Sequence, residues 1–155
     1  MLLLLGSLSI SPAHAKDLRK RVGVGLDNQF GHVSSFSVKA GIPTPDPAIN
    51  LQVQGTFGLS VLDGAADDWW FGGRVLYGVV AEDNMNLYAA AGAGWRVAGR
   101  DKSLRLYPAV GTEFFLFGLE NLGLSAEVGL GIDLGTGADF YSVGSAAGMG
   151  VHYYF

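Results

Sequence analysis

The sequence predicts an all-β chain, an eight-stranded antiparallel up-and-down transmembrane β-barrel, and three observations carry that expectation. From Arg21 onward apolar residues recur at alternate positions, the period of a strand. Eight such segments, roughly 21–28, 33–42, 49–61, 69–81, 86–98, 104–116, 122–134 and 142–155, account for the chain after its first stretch. One face of the segments is apolar, and the other is small and polar, rich in the chain's 24 glycines.

Before the first strand, residues 1–15 read as a leader. Residues 2–10 are LLLLGSLSI, and Ala13 and Ala15 supply the small-residue pattern of a signal-peptide cleavage site. The apolar run is too short to span a bilayer as a helix, which takes about 20 residues. No Lys or Arg precedes it, and the expectation is a translation start upstream of Met1. Cleavage after Ala15 leaves 16–155 as one barrel domain. Its opening cluster, Lys16, Arg19, Lys20 and Arg21, is expected to be a solvated flank.

Turn chemistry separates the strands. Asp27-Asn28-Gln29-Phe30-Gly31 divides the first pair, and Thr44-Pro45-Asp46-Pro47 the second, because proline cannot donate to a ladder. Asp63-Gly64, Glu82-Asp83-Asn84, Gly99-Arg100-Asp101, Gly118 to Asn121 and Gly135-Thr136-Gly137 mark the remaining breaks. Each strand with its connection takes about 17 residues, which accommodates the 9–11 that cross a membrane.

The faces are clearest in the third and seventh segments. Leu51, Val53, Phe57, Leu59 and Val61 oppose Gln52, Gln54, Thr56 and Ser60, while Leu124, Ala126, Val128, Leu130 and Ile132 oppose Ser125, Glu127 and Asp133. Away from the segment ends, seven charges lie inside: Lys39, Arg74, Arg96, Arg105, Glu113, Glu127 and Asp133, all on the small polar face. A soluble barrel shows such a face to water, whereas a membrane barrel turns it to the lumen. Too few Lys and Glu, and too much Gly, favour the lumen. There the seven charges are expected to form a paired network, since an unpaired buried charge is costly. Eight strands enclose a space just wide enough for side chains to fill, so the expected interior is plugged. With the amino terminus in the periplasm, Trp69, Trp70, Phe71, Trp95, Phe140 and Tyr141 form an outer aromatic belt. Phe114, Phe115, Phe117, Tyr153, Tyr154 and Phe155 form an inner one.

The chain ends Gly148-Met149-Gly150-Val151-His152-Tyr153-Tyr154-Phe155, with Met149, Val151, Tyr153 and Phe155 alternating back from a terminal Phe. This resembles the carboxy-terminal assembly signal of bacterial outer-membrane barrels, and with the eight segments the chain resembles the small OmpA/OmpX-type barrels. The resemblance implies a place in the cell outer membrane of a Gram-negative bacterium, reached by a cleaved signal peptide. It further implies outer-membrane lipid and lipopolysaccharide as surroundings, and the barrel-assembly machinery as a partner during biogenesis. A monomer with a structural or surface-interaction role is expected, with a narrow passive channel for small solutes as the alternative and a lipid A-modifying enzyme third.

Other chemistry is thinly represented. A net charge of −4 leaves no basic patch for nucleic acid. There is no cysteine, which excludes disulfides, thiolate zinc sites and cysteine nucleophiles. No cofactor motif occurs, and neither a cofactor, a metal nor catalysis is expected. The cluster Asp63, Asp67 and Asp68 lacks the alternating ligand spacing of a calcium loop and reads as a solvated turn. His32-Val33-Ser34 is similar to the His-x-Ser pair of lipid A deacylase barrels, but no acid is evidently placed to orient His32. His152 reads as a hydrogen-bonded lumen residue.

Overall fold

The structure, a computed structural model, describes residues 16–28, 34–46, 49–60, 68–135 and 141–155. Residues 1–15, expected to be a leader, and His32, Asp63, Asp67 and Phe140 therefore lie outside the described residues. Nine strands are present among them: β1 (Val22–Asp27), β2 (Ser35–Gly41), β3 (Leu51–Ser60), β4 (Asp68–Glu82), β5 (Met85–Ala98), β6 (Asp101–Leu106), β7 (Ala109–Leu116), β8 (Leu119–Gly135) and β9 (Tyr141–Tyr154). All neighbours are antiparallel, and β1 pairs with β9, so the sheet closes on itself.

The closed sheet is an eight-stave barrel although it has nine strands, because β6 and β7 share one stave. The sequence reading treats 104–116 as a single strand, and that expectation needs correcting at Tyr107-Pro108. Pro108 has no N–H, so the ladder is interrupted there. The register survives: Ala93 faces Leu106 before the break and Ala90 faces Ala109 after it. Tyr107 N–H donates to the Gly92 carbonyl at 3.0 Å, and the Pro108 carbonyl accepts from Leu130 N–H at 3.0 Å. Two turns are tighter than the sequence suggests. Gly99-Arg100 and Phe117-Gly118 each reverse the chain, with Gly99 at φ 61° and Gly118 at φ 79°, so Asp101 and Leu119 already begin strands. Those left-handed values suit glycine.

Inside and outside are set by the pleat. Glu127 is 4 % exposed and its neighbour Val128 is 60 % exposed. The same contrast holds round the barrel: Ser37, Lys39, Gln52, Gln54, Arg74 and Glu113 are buried, while Phe36, Val38, Val53, Phe57, Val75 and Phe114 are exposed. The barrel is thus polar within and apolar without. A bulge in β4 shifts the register between Gly78 and Val80, leaving Val79 and Val80 both exposed.

Not every rim aromatic belongs to a belt. Trp70, Phe115 and Tyr154 are buried at 1 %, 3 % and 0 % exposure, which corrects their placement in the belts. Each lies on the inward side of its strand's pleat. Trp69 and Phe71, on the opposite pleat from Trp70, stack with ring centroids 5.7 Å apart, and Phe114, Phe117, Tyr153 and Phe155 are exposed. The basic opening segment is no free flank either. Lys20 N–H donates to the Gly41 carbonyl and Lys16 N–H to that of Glu82, and Leu18 is 1 % exposed.

Candidate functional site: the barrel interior

Alternation delivers polar side chains to the lumen from every stave, and closure decides which of them meet. Counting round the barrel, β2 and the β6–β7 stave stand diametrically opposite. Lys39 Nζ on β2 donates across that diameter to Glu113 Oε1 on β7 at 3.0 Å. Tyr154 OH on β9 contacts both oxygens of the same carboxylate, at 2.9 and 3.0 Å. Arg74 on β4 reaches across to Glu127 on β8, Nη1 to Oε1 at 2.6 Å, while its Nε donates to Gln54 Oε1 at 2.9 Å. Tyr88 OH donates to the other Glu127 oxygen at 3.0 Å. Neither side chain of the Arg74–Glu127 pair is exposed at all. These contacts brace facing walls and fill the middle of the lumen.

The other two pairs lie along the wall. Arg105 and Asp133 face each other in the β6–β8 ladder and join by two bonds, Nε to Oδ1 at 2.7 Å and Nη2 to Oδ2 at 2.6 Å. Arg96 on β5 forms a similar fork with Asp68 on β4, Nε donating to Oδ1 at 3.1 Å and Nη2 to the second oxygen. Bidentate geometry of this kind holds both groups in one orientation.

The seven charges singled out from the sequence therefore do not suffice for one another. Lys39, Arg74 and Arg105 pair with Glu113, Glu127 and Asp133, and Arg96 takes Asp68. The expectation that Asp68 belongs to a solvated acidic turn is corrected: it opens β4 and its side chain is 19 % exposed. Asp27, read as a turn residue, is the last residue of β1 and is buried. Its Oδ2 accepts from Gln54 Nε2, and Gln54 Nε2 also donates to Ser37 Oγ at 2.6 Å. The available signal for both acids is parity, since each lies in phase with its strand's polar face.

His152, fully buried, meets Ser37 Oγ through Nε2 at 2.9 Å, and Asp27 Oδ2 stands 4.0 Å from that same nitrogen. In a hydrolytic triad the acid binds Nδ1, opposite the nucleophile. Here Nδ1 has no partner among the described residues, so the order of a triad is lacking. Ser34 is exposed on the approach to β2. Among the described residues no group of three or more His, Asp or Glu is placed to hold a metal ion.

An apolar cluster of Trp70, Leu76, Tyr88, Ala90, Tyr107 and Ala109 lines the wall from β4 to β7. Trp70 Nε1 donates to Thr56 Oγ1 at 3.1 Å, which pins the ring over Gly94. A Cβ at position 94 would run into that ring. Gly94→Val is expected to lower stability by about 1–3 kcal/mol through overpacking, read as a lower denaturant midpoint. An unchanged midpoint would mean that the ring swings aside freely.

Comparison with protein-family models, with curated proteins and with solved structures finds no match.

Proposed function

We propose that this chain is an integral outer-membrane β-barrel protein with a structural or surface-interaction role and a lumen filled by its own side chains. The observation that carries the reading is the inverted distribution: paired charges inside, and a surface of Val, Leu and Phe outside. Exposed Leu26, Phe36, Val53, Phe57, Val75, Val110, Val128 and Leu130 belong to several staves, so the apolar surface girdles the barrel. A continuous apolar band suits acyl chains and is unfavourable in water. In this reading the segment 1–15 is a cleaved leader, the family resemblance is to the small OmpA/OmpX-type barrels, and the barrel is a monomer among outer-membrane lipid and lipopolysaccharide.

Met149, Val151, Tyr153 and Phe155 are exposed at 72 %, 37 %, 46 % and 71 %, and so stand on the outward face of the last stave. That accessibility suits a signal read by the barrel-assembly machinery before the barrel closes. The cross-lumen braces Lys39–Glu113 and Arg74–Glu127 argue for a closed interior over a passive channel.

The expected result is folding only where an amphiphile covers the band. The unboiled protein refolded in detergent or lipid should migrate differently from the boiled protein on a gel. Planar bilayers containing it should show no large steady conductance. A folded, monodisperse protein in plain buffer overturns the membrane reading, and a steady open current overturns the filled lumen.

A further inference from the structure

Residues 16–21 cross one mouth of the barrel. Starting from β1, Lys20 N–H bonds the Gly41 carbonyl at the end of β2, and Gly41 N–H returns to the Arg21 carbonyl at 2.9 Å. At the far side of the mouth, Lys16 N–H bonds the Glu82 carbonyl at the end of β4. Arg21 Nη2 reaches Asn121 Oδ1 on β8 at 2.6 Å, and Lys16 Nζ reaches Glu120 on the same strand at 3.5 Å. Between these ties Leu18 drops into the lumen, buried with Phe115 of β7 and Tyr154 of β9. Directly behind that layer Tyr154 holds Glu113, and Glu113 holds Lys39.

We propose that residues 16–21 are a releasable stopper, with Leu18 as its plug, and that withdrawing Leu18 admits water and small solutes to the Glu113–Lys39 part of the lumen. Closure follows from the strap's anchors on β2, β4 and β8, with Leu18 seated between β7 and β9. Release follows from how weakly the strap is held. The Asp17–Arg19 ion pair is internal to the strap and ties it to nothing else. The Asp17 side chain is 55 % exposed, and the side-chain hydrogen bond from Arg19 holds its carboxyl down to about 2. Glu120, the partner of Lys16, is 81 % exposed, and such a pair contributes little. Lys20, at the junction with β1, has φ 61°, a left-handed conformation unfavourable for a residue with a side chain. The strap is held by three backbone hydrogen bonds, the part-buried Arg21–Asn121 bond and one apolar anchor, and with its strained junction it is easier to open than the buried ion pairs behind it.

This inference goes beyond the membrane reading and does not depend on it. The test uses the folded barrel in whichever medium it folds, micelles or plain buffer. Because the chain has no cysteine, single thiols report without background. Leu18→Cys should react with a small methanethiosulfonate reagent about a hundredfold more slowly than Lys20→Cys, two residues away and exposed. Ser125→Cys, an isosteric change on the lumen face opposite Glu113, should be protected in the parent and react at least about tenfold faster when Leu18→Gly is added. Equal rates at 18 and 20 overturn the plug. A Ser125→Cys rate unaffected by Leu18→Gly overturns the stopper. If Leu18→Gly prevents folding, Lys20→Gly provides the second variant. Glycine relieves the left-handed junction, so the strap should seat more firmly and labelling of Leu18→Cys should slow about threefold or more. An unchanged or faster rate overturns the strained, releasable junction.

Discussion

Replacing Glu127 by Ala is expected to destabilise the barrel by about 3–5 kcal/mol, the cost of leaving one member of a buried ion pair without its partner. Arg74 loses the carboxylate oxygen bonded to its Nη1, and Tyr88 loses its 3.0 Å bond to Glu127 Oε2. Gln54 Oε1 remains on Arg74 Nε, but a neutral amide oxygen does not compensate a buried guanidinium charge. Urea unfolding of the refolded barrel reads the loss. Glu127→Gln should recover part of it, because an acceptor returns without the charge. The double change Arg74→Met with Glu127→Leu should recover part of it as well, since it removes both charges and their desolvation penalty while still costing the Tyr88 hydroxyl and Gln54 Oε1 the bonds they make to this pair. A loss below about 1 kcal/mol for Glu127→Ala would mean that water enters this part of the lumen and screens Arg74.

One residue further on, the expected outcome changes in kind. Val128 faces outward from the middle of β8, a strand of 17 residues. If its surroundings are acyl chains, Val128→Arg should lower stability in lipid vesicles by about 2–4 kcal/mol, as a cation does near the bilayer midplane. If they are water, the same change should fall within about 0.5 kcal/mol, as surface substitutions usually do. The control is Leu119→Arg on the same strand. Leu119 is 56 % exposed but sits at the turn, where a cation reaches the interface and costs about 0–1 kcal/mol. Equal, small effects at 119 and 128 would remove the apolar band's role as a membrane surface.

Much of the barrel is legible from the chain because the pleat is local. The alternation of Gln52, Gln54 and Thr56 with Val53 and Phe57 assigns each side chain a face before anything is known of its neighbours. Turn positions follow nearly as well, since Gly99 and Gly118 mark where the backbone must go left-handed. The misreadings arise where a second element intervenes or where residue type overrides parity. Trp70, Phe115 and Tyr154 group by type with the rim aromatics, yet parity already places them inward. Pro108 is compatible with one long stave, which does continue in register on both sides of it, but the ladder itself breaks. Lys16 to Arg21 reads as solvated because four of its six residues are basic. The single apolar residue among them, Leu18, finds its site only when β7 and β9 come together.

The strands, their two faces and most of the turns were thus settled by the chain alone, since all of them follow from backbone geometry over a few residues. It took the closed barrel to decide that Lys39 spans the lumen to Glu113, that Arg74 meets Glu127, that Arg96 takes Asp68, and that Leu18 is buried with Phe115 and Tyr154. Those partners are far apart in the chain, and what brings them within hydrogen-bonding distance is the closure and stagger of the whole sheet, which no local spacing encodes.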